Sequence, residues 1–495
     1  MPTDRARDDT AGTVWRNRRL WLALGVAWLL VVLRSLVYLA YPQSFFDSDQ
    51  AIVGLMAKHL VEGRAFPLFM YGQAYQMAID AWVAVPFVLA LGPTFEALRL
   101  SLIGWNLATA TVLMVGLARA GVRPWHALAA TVFFTAAPPL TAASLIEFAG
   151  NVGPLLFVAL LWLLRHRSVW FGAVLAIGFL ARDFTIYAVP VLALGDLAGG
   201  ALVRRERLRW WGVALAAFAA VWLGVTALKP YADLRGPGTR GVPVEGATGS
   251  QVENILARVD VAPADLPARA VAMATHHLPR QVGAVRAASP IANQGRDWLC
   301  WPLAAALALA LWRAVRFGRR TAGFPWYLLG VGTLAAVVYV LVRDAEPVID
   351  RYLLLTLYVP IGIVAAFLAS EPRAVWRHAM VAVLVGWGAL SAVDHARLAA
   401  RWVQSEEPDH IQVLADALVD RGITVAEAGY WRAYKTTFMA GERVKVASTD
   451  MVRIDEYQRL AAAPDARVYT IRETRDGACP GGIIAGIWLL CPRQP

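Results

Sequence analysis

The sequence is poor in charged residues and in cysteine. Only 17% of its 495 residues are charged, where a typical soluble domain has about a quarter. The three cysteines show neither metal-ligand nor redox spacing, and no Gly-rich phosphate loop is present. Hydrophobic residues reach 58% and the mean hydropathy is +0.50. These shortages exclude a simple soluble enzyme and a disordered chain, and they argue against an ATP-driven pump.

Long apolar runs predict a polytopic α-helical membrane protein. A membrane span needs about 20 apolar residues, and the first run, 20–40, is too long for the core of a cleavable signal peptide. We predict a membrane domain over residues 20–394 with eleven spans. The predicted spans are 20–40, 98–118, 125–143, 150–164, 169–181, 184–198, 210–228, 298–312, 325–342, 352–370 and 376–394.

Arginine placement sets the predicted orientation in the bilayer. The net charge is +11, and all but four of the basic residues are arginines, which cluster in short loops. Topology alone requires such loops to be cytoplasmic, so nucleic acid is not an expected partner. The rule holds for every later loop only if Met77–Leu91 lies in the external interface. Residues 1–19 are then cytoplasmic, loops 41–97 and 229–297 are external, and the protein belongs in the inner cell membrane.

Residues 395–495 do not have the composition of a membrane region. Apolar residues with helical spacing between Ile411 and Leu418 precede four runs that are typical of strands. The runs are Ile423–Ala426, Val444–Ala447, Val468–Ile471 and Ile483–Leu490. We therefore predict a small external α/β domain. Cys479 and Cys491 flank the last run, and the sequence leaves open whether they form a disulfide or stay free thiols.

Two aspartates directly follow the first predicted span. Asp47 and Asp49 open a segment that also carries Lys58, His59 and Glu62. One interpretation is a polar loop that stops insertion, because solvated carboxylates at a membrane surface cost little. A carboxylate here also suits a general base acting on a hydroxyl group, or an oxygen ligand of a divalent cation. The residues alone leave these interpretations open.

The segment from Asp47 to Gly63 resembles the first external loop of GT-C superfamily glycosyltransferases. The similarity is greatest to glycosyltransferase family 39, which includes protein O-mannosyltransferases and aminoarabinose transferases. Those enzymes have an Asp-Glu pair at this place, followed by a juxtamembrane helix. Here Gln50 replaces the glutamate, which weakens a metal-binding role of the pair. Further similar segments are Gly72–Tyr75, Leu91–Pro93, Ala97–Leu100, Gly178–Arg182 and Asp350–Leu354.

The resemblance implies transfer of a sugar from a polyprenyl-phosphate donor to a cell-envelope glycan, glycolipid or protein. Asp49 matches the acidic position and is the predicted general base, with Asp47 as a substitute for the missing glutamate. Arg182 and Arg351 are predicted to stabilise the leaving phosphate, because a guanidinium can bind two phosphate oxygens at once. These residues require no cofactor. Whether the aspartates bind a divalent cation stays open. No nucleotide-binding motif points to a nucleotide-sugar donor.

Further polar residues are predicted to bind substrate at the same external site. They are Gln73, Tyr75, Asp80, Glu147 and Tyr352. The competing interpretations are a wet helix face for Asp80, a helix-end polar group for Glu147 and an interfacial ion pair for Arg351 with its neighbour. The aromatic and basic segment Gly429–Lys435 either binds a glycan or packs the C-terminal domain against the membrane surface, and packing is favoured.

Two functions of other classes compete with the enzyme. One is a non-catalytic transporter or flippase of lipid-linked sugars, and the other is a scaffold that kept the fold and lost activity. A transporter places ionised groups near the bilayer midplane, often with repeat symmetry, and the sequence shows no repeat. An enzyme requires Asp49, Arg182 and Arg351 to converge on one external cavity.

Overall fold

The computed structural model describes most of the chain. The described residues are 16–41, 45–148, 150–201, 204–242, 263–284, 296–318, 323–342, 350–404 and 409–493. Residues 1–15 of the predicted cytoplasmic N-terminus lie outside this part. So do residues 243–262 and 285–295 of the predicted external loop 229–297.

Seven helices of the described part are long and apolar enough to cross a membrane. They are Arg18–Ala40, Phe95–Arg119, Arg205–Tyr231, Cys300–Phe317, Phe324–Leu341, Asp350–Ser370 and Ala374–Gln404. Shorter helices accompany them: Ile79–Leu91, Gly153–Leu164, Ser168–Ala181 and Ala188–Ala198. The prediction of a polytopic helical membrane protein is confirmed, while the count of eleven spans stays a prediction.

The structure differs from the predicted continuous helix over residues 125–143. The chain forms three short helices there, Pro124–Ala130, Val132–Thr135 and Pro139–Leu145. Pro138 explains the second break, because proline lacks an N–H and disfavours helical backbone at the preceding residue. Short α, 3₁₀ or π segments complete this part of the chain: Asp183–Tyr187, Lys229–Tyr231, Leu266–Ala272, Met273–His277, Leu278–Gln281, Asp297–Leu299 and Asp350–Leu357.

After the first long helix, the chain forms a helix that we name the juxtamembrane helix, Ser48–Val61. Asp47 caps its start, because the Asp47 carboxylate accepts a hydrogen bond from the Gln50 N–H at 3.0 Å. The resemblance implied this helix.

A short β-hairpin that the sequence did not predict follows the juxtamembrane helix. Strands β1 (Phe69–Met70) and β2 (Gln73–Met77) pair antiparallel. Gly72 in the turn has a φ of 68°, a conformation that glycine adopts without steric cost. The hairpin therefore presents the residues of β2 beside the end of the helix Ser168–Ala181.

The predicted small α/β domain is present, and residues 409–493 form a mixed sheet of five strands, one more than predicted, with helices. Its strands are β3 (Val425–Ala428), β4 (Lys445–Ser448), β5 (Val468–Glu473), β6 (Ile483–Ala485) and β7 (Trp488–Pro492), in the order β4-β3-β5-β7-β6. Strand β3 runs parallel to β4 and β5, and β7 runs antiparallel to β5 and β6. The helices are His410–Asp420, Tyr430–Met439 and Asp455–Ala461.

The end of the chain differs from the single predicted strand Ile483–Leu490. It folds back as the β6–β7 hairpin at Gly486, whose φ of 61° suits the first central position of a two-residue hairpin turn. Cys479 and Cys491, which the sequence left open, form a disulfide.

The C-terminal domain packs directly on the juxtamembrane helix. Apolar residues of both belong to one continuous buried cluster. Gly54 permits the close approach, because a Cβ atom there would lie only 2.4 Å from the Phe438 ring. The helix Tyr430–Met439 can therefore lie along the juxtamembrane helix.

One buried carboxylate joins the same two parts. The Glu442 side chain is only 2% exposed, and it accepts hydrogen bonds from Lys58 Nζ at 2.6 Å and Arg64 Nη1 at 2.9 Å. His59 Nε2 and the Tyr457 hydroxyl each lie 3.1 Å from Glu442 Oε1. Burial alone would raise the pKa of Glu442, but hydrogen bonds from His59 and Lys58 hold that pKa well below its usual range. Glu442 is thus the charged centre of the interface, which we name the Glu442 cluster.

We expect Glu442→Gln to destabilise the protein by about 3–5 kcal/mol, because it leaves buried cations without their carboxylate. Thermal unfolding in detergent measures the loss. Glu456→Gln is the matched control, since Glu456 pairs with Arg64 at a more exposed position and such pairs contribute about 0–1 kcal/mol.

Acidification should produce the same loss in the unmodified protein. Because folding lowers the pKa of Glu442, its stabilisation is present above the ordinary glutamate pKa of about 4.3 and disappears as pH falls through the lower folded value. Equal stability of Glu442→Gln and Glu456→Gln would contradict the role of the Glu442 cluster.

Candidate active site

Residues from several separate segments of the chain line one small cavity of about 70 Å³. Asp49 comes from the juxtamembrane helix, Arg182 from the end of the helix Ser168–Ala181, and Arg351 from the 3₁₀ segment Asp350–Leu357. The C-terminal domain, the β1–β2 hairpin and the loop at Asn151 supply the rest of the lining. Other polar lining residues are Gln73, Tyr75, Gln76, Asn151, Tyr352, Tyr430 and Arg453. The three residues on which the enzyme interpretation depends therefore share one cavity.

The two oxygens of Asp49 have different surroundings. The Tyr430 hydroxyl donates a hydrogen bond to Asp49 Oδ1. Arg351 Nη2 lies 3.6 Å from Oδ2, which is an ion pair but too long for a hydrogen bond. Asp49 Oδ1 is thus held in place, while Oδ2 faces a positive charge and keeps its lone pairs available.

Arg351 is shared between two carboxylates. Its Nη1 forms a close ion pair with Glu147 Oε1, opposite the contact with Asp49. Burial raises the pKa of Glu147 to about 7, although Arg351 opposes that shift. Glu147 therefore competes with Asp49 for Arg351, to an extent that depends on whether Glu147 is charged.

Arg182 has no carboxylate partner among the described residues. Its Nη1 donates a hydrogen bond to Gln76 Oε1 at 3.0 Å, and its guanidinium lies 5.3 Å from the Phe184 ring centre and 5.2 Å from the Tyr352 ring centre. Neutral groups thus orient the side chain without neutralising it. A partly desolvated cation of this kind is suited to bind an anion.

The sequence analysis missed two residues that the C-terminal domain contributes. Tyr430 lies in the Gly429–Lys435 segment, for which packing was favoured over binding. Arg453 gave no signal in the sequence, yet its Nη1 donates to the Gly72 carbonyl at 2.8 Å and its guanidinium lies 5.7 Å from the Tyr430 ring centre. Within the described residues Arg453 also has no carboxylate partner.

Arg99 holds two backbone segments next to the site by hydrogen bonds. It is 1% exposed and donates hydrogen bonds to the carbonyls of Phe45, at 2.6 Å, and of Ile146. Phe45 lies two residues before Asp47, and Ile146 lies directly before Glu147. One side chain therefore ties together the two loops that carry the acidic residues, a role that the sequence analysis did not recognise.

Three predicted site residues lie outside the cavity lining. Glu147 stands behind Arg351, and Asp47 caps the juxtamembrane helix. Burial and the nearby charge of Asp49 raise the pKa of Asp47. Asp80 is buried and accepts a hydrogen bond from the Gly150 N–H at 2.7 Å, so it holds the loop that carries Glu147. In the part of the chain that the structure describes, no three His, Cys, Asp or Glu side chains form a metal-binding group.

Comparison with known proteins gives a likeness of fold. No protein-family model and no curated protein sequence matches the chain. The crystal structure of ArnT from Cupriavidus metallidurans bound to undecaprenyl phosphate matches with a TM-score of 0.60 and 11% identity over 96% of this chain and 98% of that chain. The chain has the GT-C fold. The apo structure of the same ArnT matches with a TM-score of 0.54 and 12% identity over 94% of each chain.

The GT-C fold confirms the resemblance noted from the sequence and extends it. The ArnT likeness covers nearly the whole chain, including the C-terminal domain, whereas the sequence motifs all lie within the membrane region. At this level of identity the likeness concerns the fold alone, so the roles of individual residues rest on the geometry of the cavity.

Asp80→Ala should lower the stability of the protein by about 1–3 kcal/mol, because it leaves the buried Gly150 N–H without its acceptor. Asp80→Asn, which keeps an acceptor oxygen, should lose less. Thermal unfolding in detergent measures both against Asp416→Ala, an exposed control for which about 0.5 kcal/mol is the usual limit. If Asp80→Ala unfolds at the same temperature as the control, the loop-holding role is wrong.

Proposed function

We propose that this protein is a membrane glycosyltransferase. It transfers a sugar from a polyprenyl-phosphate donor to a hydroxyl group of a cell-envelope glycan, glycolipid or protein. The observation that carries the proposal is one cavity that contains a carboxylate, Asp49, together with Arg182, a half-buried guanidinium that has no carboxylate partner among the described residues. The ArnT structure of the same fold, which is bound to undecaprenyl phosphate, supports a polyprenyl phosphate as the lipid part.

In the proposed reaction, Asp49 is the general base. The acceptor oxygen attacks the anomeric carbon, and its proton passes to the Asp49 carboxylate. The bond between the anomeric carbon and the phosphate oxygen breaks, and its electron pair stays on polyprenyl phosphate. Direct displacement of this kind inverts the anomeric centre.

The arginines act on the leaving group. Negative charge accumulates on the phosphate as the sugar departs, so a fixed cation lowers the energy of the transition state more than that of the ground state. Arg182 is the first candidate because no carboxylate of the described residues pairs with it. Arg351 is balanced by Asp49 and Glu147, which favours it as an orienting group for the base. Gln73, Tyr75 and Tyr352 supply further polar contacts on the wall of the cavity.

We place the protein in the inner cell membrane with a cytoplasmic N-terminus and an external, periplasmic C-terminal domain. Arginine-rich loops between the apolar helices support this orientation. The disulfide between Cys479 and Cys491 supports an oxidising compartment for the C-terminal domain. A divalent cation at Asp47 and Asp49 stays a prediction, which a comparison of activity with and without a chelator tests.

Asp49→Asn should reduce the rate of sugar transfer by about 10²- to 10⁴-fold, the usual contribution of a general base. The assay incubates purified protein in lipid vesicles with labelled polyprenyl-phosphate sugars and envelope extract, and measures label in the acceptor. Asp416→Asn, on the exposed face of a helix in the C-terminal domain, is the control. Unchanged transfer by Asp49→Asn removes this residue from the mechanism, and label that crosses the vesicle membrane without being transferred favours the flippase.

Arg182→Gln should lower the turnover rate by about 10²-fold, because a preorganised donor aimed at developing charge typically contributes this much. Arg182→Lys should keep part of the rate, since it retains the charge but not the planar two-point contact. Single-turnover rates at saturating donor separate this effect from weaker donor binding. Equal rates for Arg182→Gln and the unmodified protein would contradict a role in leaving-group stabilisation.

A further inference from the structure

We infer that Tyr430 of the C-terminal domain is a positioning residue for Asp49, so that the C-terminal domain completes the catalytic site instead of serving only as an acceptor-binding attachment. The inference rests on the proposed function. It starts from one contact, the hydrogen bond that the Tyr430 hydroxyl donates to Asp49 Oδ1.

The surrounding structure holds Tyr430 firmly. The residue is 3% exposed and begins the helix Tyr430–Met439. Its own N–H donates a hydrogen bond to Asp450 Oδ1 at 2.7 Å. Its ring packs edge-on against Tyr434, with 5.5 Å between the ring centres, and lies beside the guanidinium of Arg453. A side chain fixed by its backbone and by both neighbours gives the hydroxyl a defined position.

Tyr430 acts on Asp49 as a donor. Burial and the charge of Asp49 raise the pKa of Tyr430 far above its usual value, so the hydroxyl keeps its proton. An ionised carboxylate only accepts hydrogen bonds, and Tyr430 occupies Oδ1. One lone pair of Oδ1 is thereby taken up, so the acceptor proton is directed towards Oδ2, the oxygen that faces Arg351 across 3.6 Å. Tyr430 therefore fixes the orientation of the Asp49 carboxylate and favours Oδ2 as the base.

Several charged groups face this pair from the surrounding elements. They are Asp47 beside Asp49 on the juxtamembrane segment, Arg351 with Glu147 behind it, Arg182 across the cavity, and Arg453 beside Tyr430. Substitution of the hydroxyl leaves all of them in place. A change in the pH dependence of transfer would therefore report on the Tyr430 hydroxyl, which contacts both Asp49 and Arg453.

The test is Tyr430→Phe, which removes only the hydroxyl. We expect kcat to fall about 10- to 100-fold, the usual effect of a hydrogen bond to a charged group, with little change in the KM for the lipid donor. The acidic limb of the pH–rate profile should move to higher pH, because the charged carboxylate loses a donor that favours it. Transfer by the full-length protein in lipid vesicles is measured with the labelled donor described above.

Tyr457→Phe is the matched control. It removes another buried tyrosine hydroxyl from the same interface, where the partner is Glu442, outside the cavity. We expect a lower unfolding temperature but an unchanged acidic limb and kcat. If Tyr430→Phe behaves in the same way, the residue only supports the fold and the inference is wrong.

Parallel assays keep the two proposals apart. If the unmodified protein transfers sugar, Asp49→Asn does not, and Tyr430→Phe matches the unmodified protein in kcat and pH profile, the inference fails while the proposed function stands. If Asp49→Asn matches the unmodified protein, the proposed function fails and the inference falls with it. If the acidic limb shifts in Tyr430→Phe but not in Tyr457→Phe, the result supports both the proposed function and the role of Tyr430.

Discussion

The packing of the C-terminal domain on the juxtamembrane helix determines the geometry of the site. Gly54 lets the helix Tyr430–Met439 approach, and the Glu442 cluster holds the other end of the same interface. With both contacts made, the Tyr430 hydroxyl reaches Asp49. The carboxylate that follows the first membrane helix is thus oriented by a residue 381 positions further along the chain. Stability of the interface and orientation of the base are consequences of the same packing.

Charge is distributed unevenly around the cavity, and this matches the proposed reaction. Arg351 lies between Asp49 and Glu147, so its charge is largely balanced. Arg182 and Arg453 have no carboxylate partners within the described residues and lie on the membrane side and the C-terminal-domain side of the cavity. Polyprenyl phosphate becomes more negative when its sugar leaves, because a phosphate monoester carries up to two charges. Two unbalanced guanidiniums suit that product better than the donor.

Local signals made the membrane class and part of the site predictable. Apolar length predicted the helices, and the motifs around Asp49, Arg182 and Arg351 predicted residues that do share a cavity. Tyr430, Arg453 and the Arg99 bridge were not predictable in this way, since each depends on contacts between segments far apart in the chain. The break near Pro138 and the β1–β2 hairpin depended on backbone geometry that hydropathy does not register.

Gln50 bears on the alternative of an inactive scaffold, because the glycosyltransferases that this segment resembles carry a glutamate at this place. In the structure, Gln50 Nε2 donates a hydrogen bond to the Phe45 carbonyl at 2.6 Å, the same carbonyl that receives Arg99. An ionised glutamate has no proton to donate there. Position 50 therefore anchors the loop before Asp47, while Asp49 keeps its contacts in the cavity. A change from glutamate to glutamine at this position is accounted for by the loop, so it is not in itself a sign of lost activity.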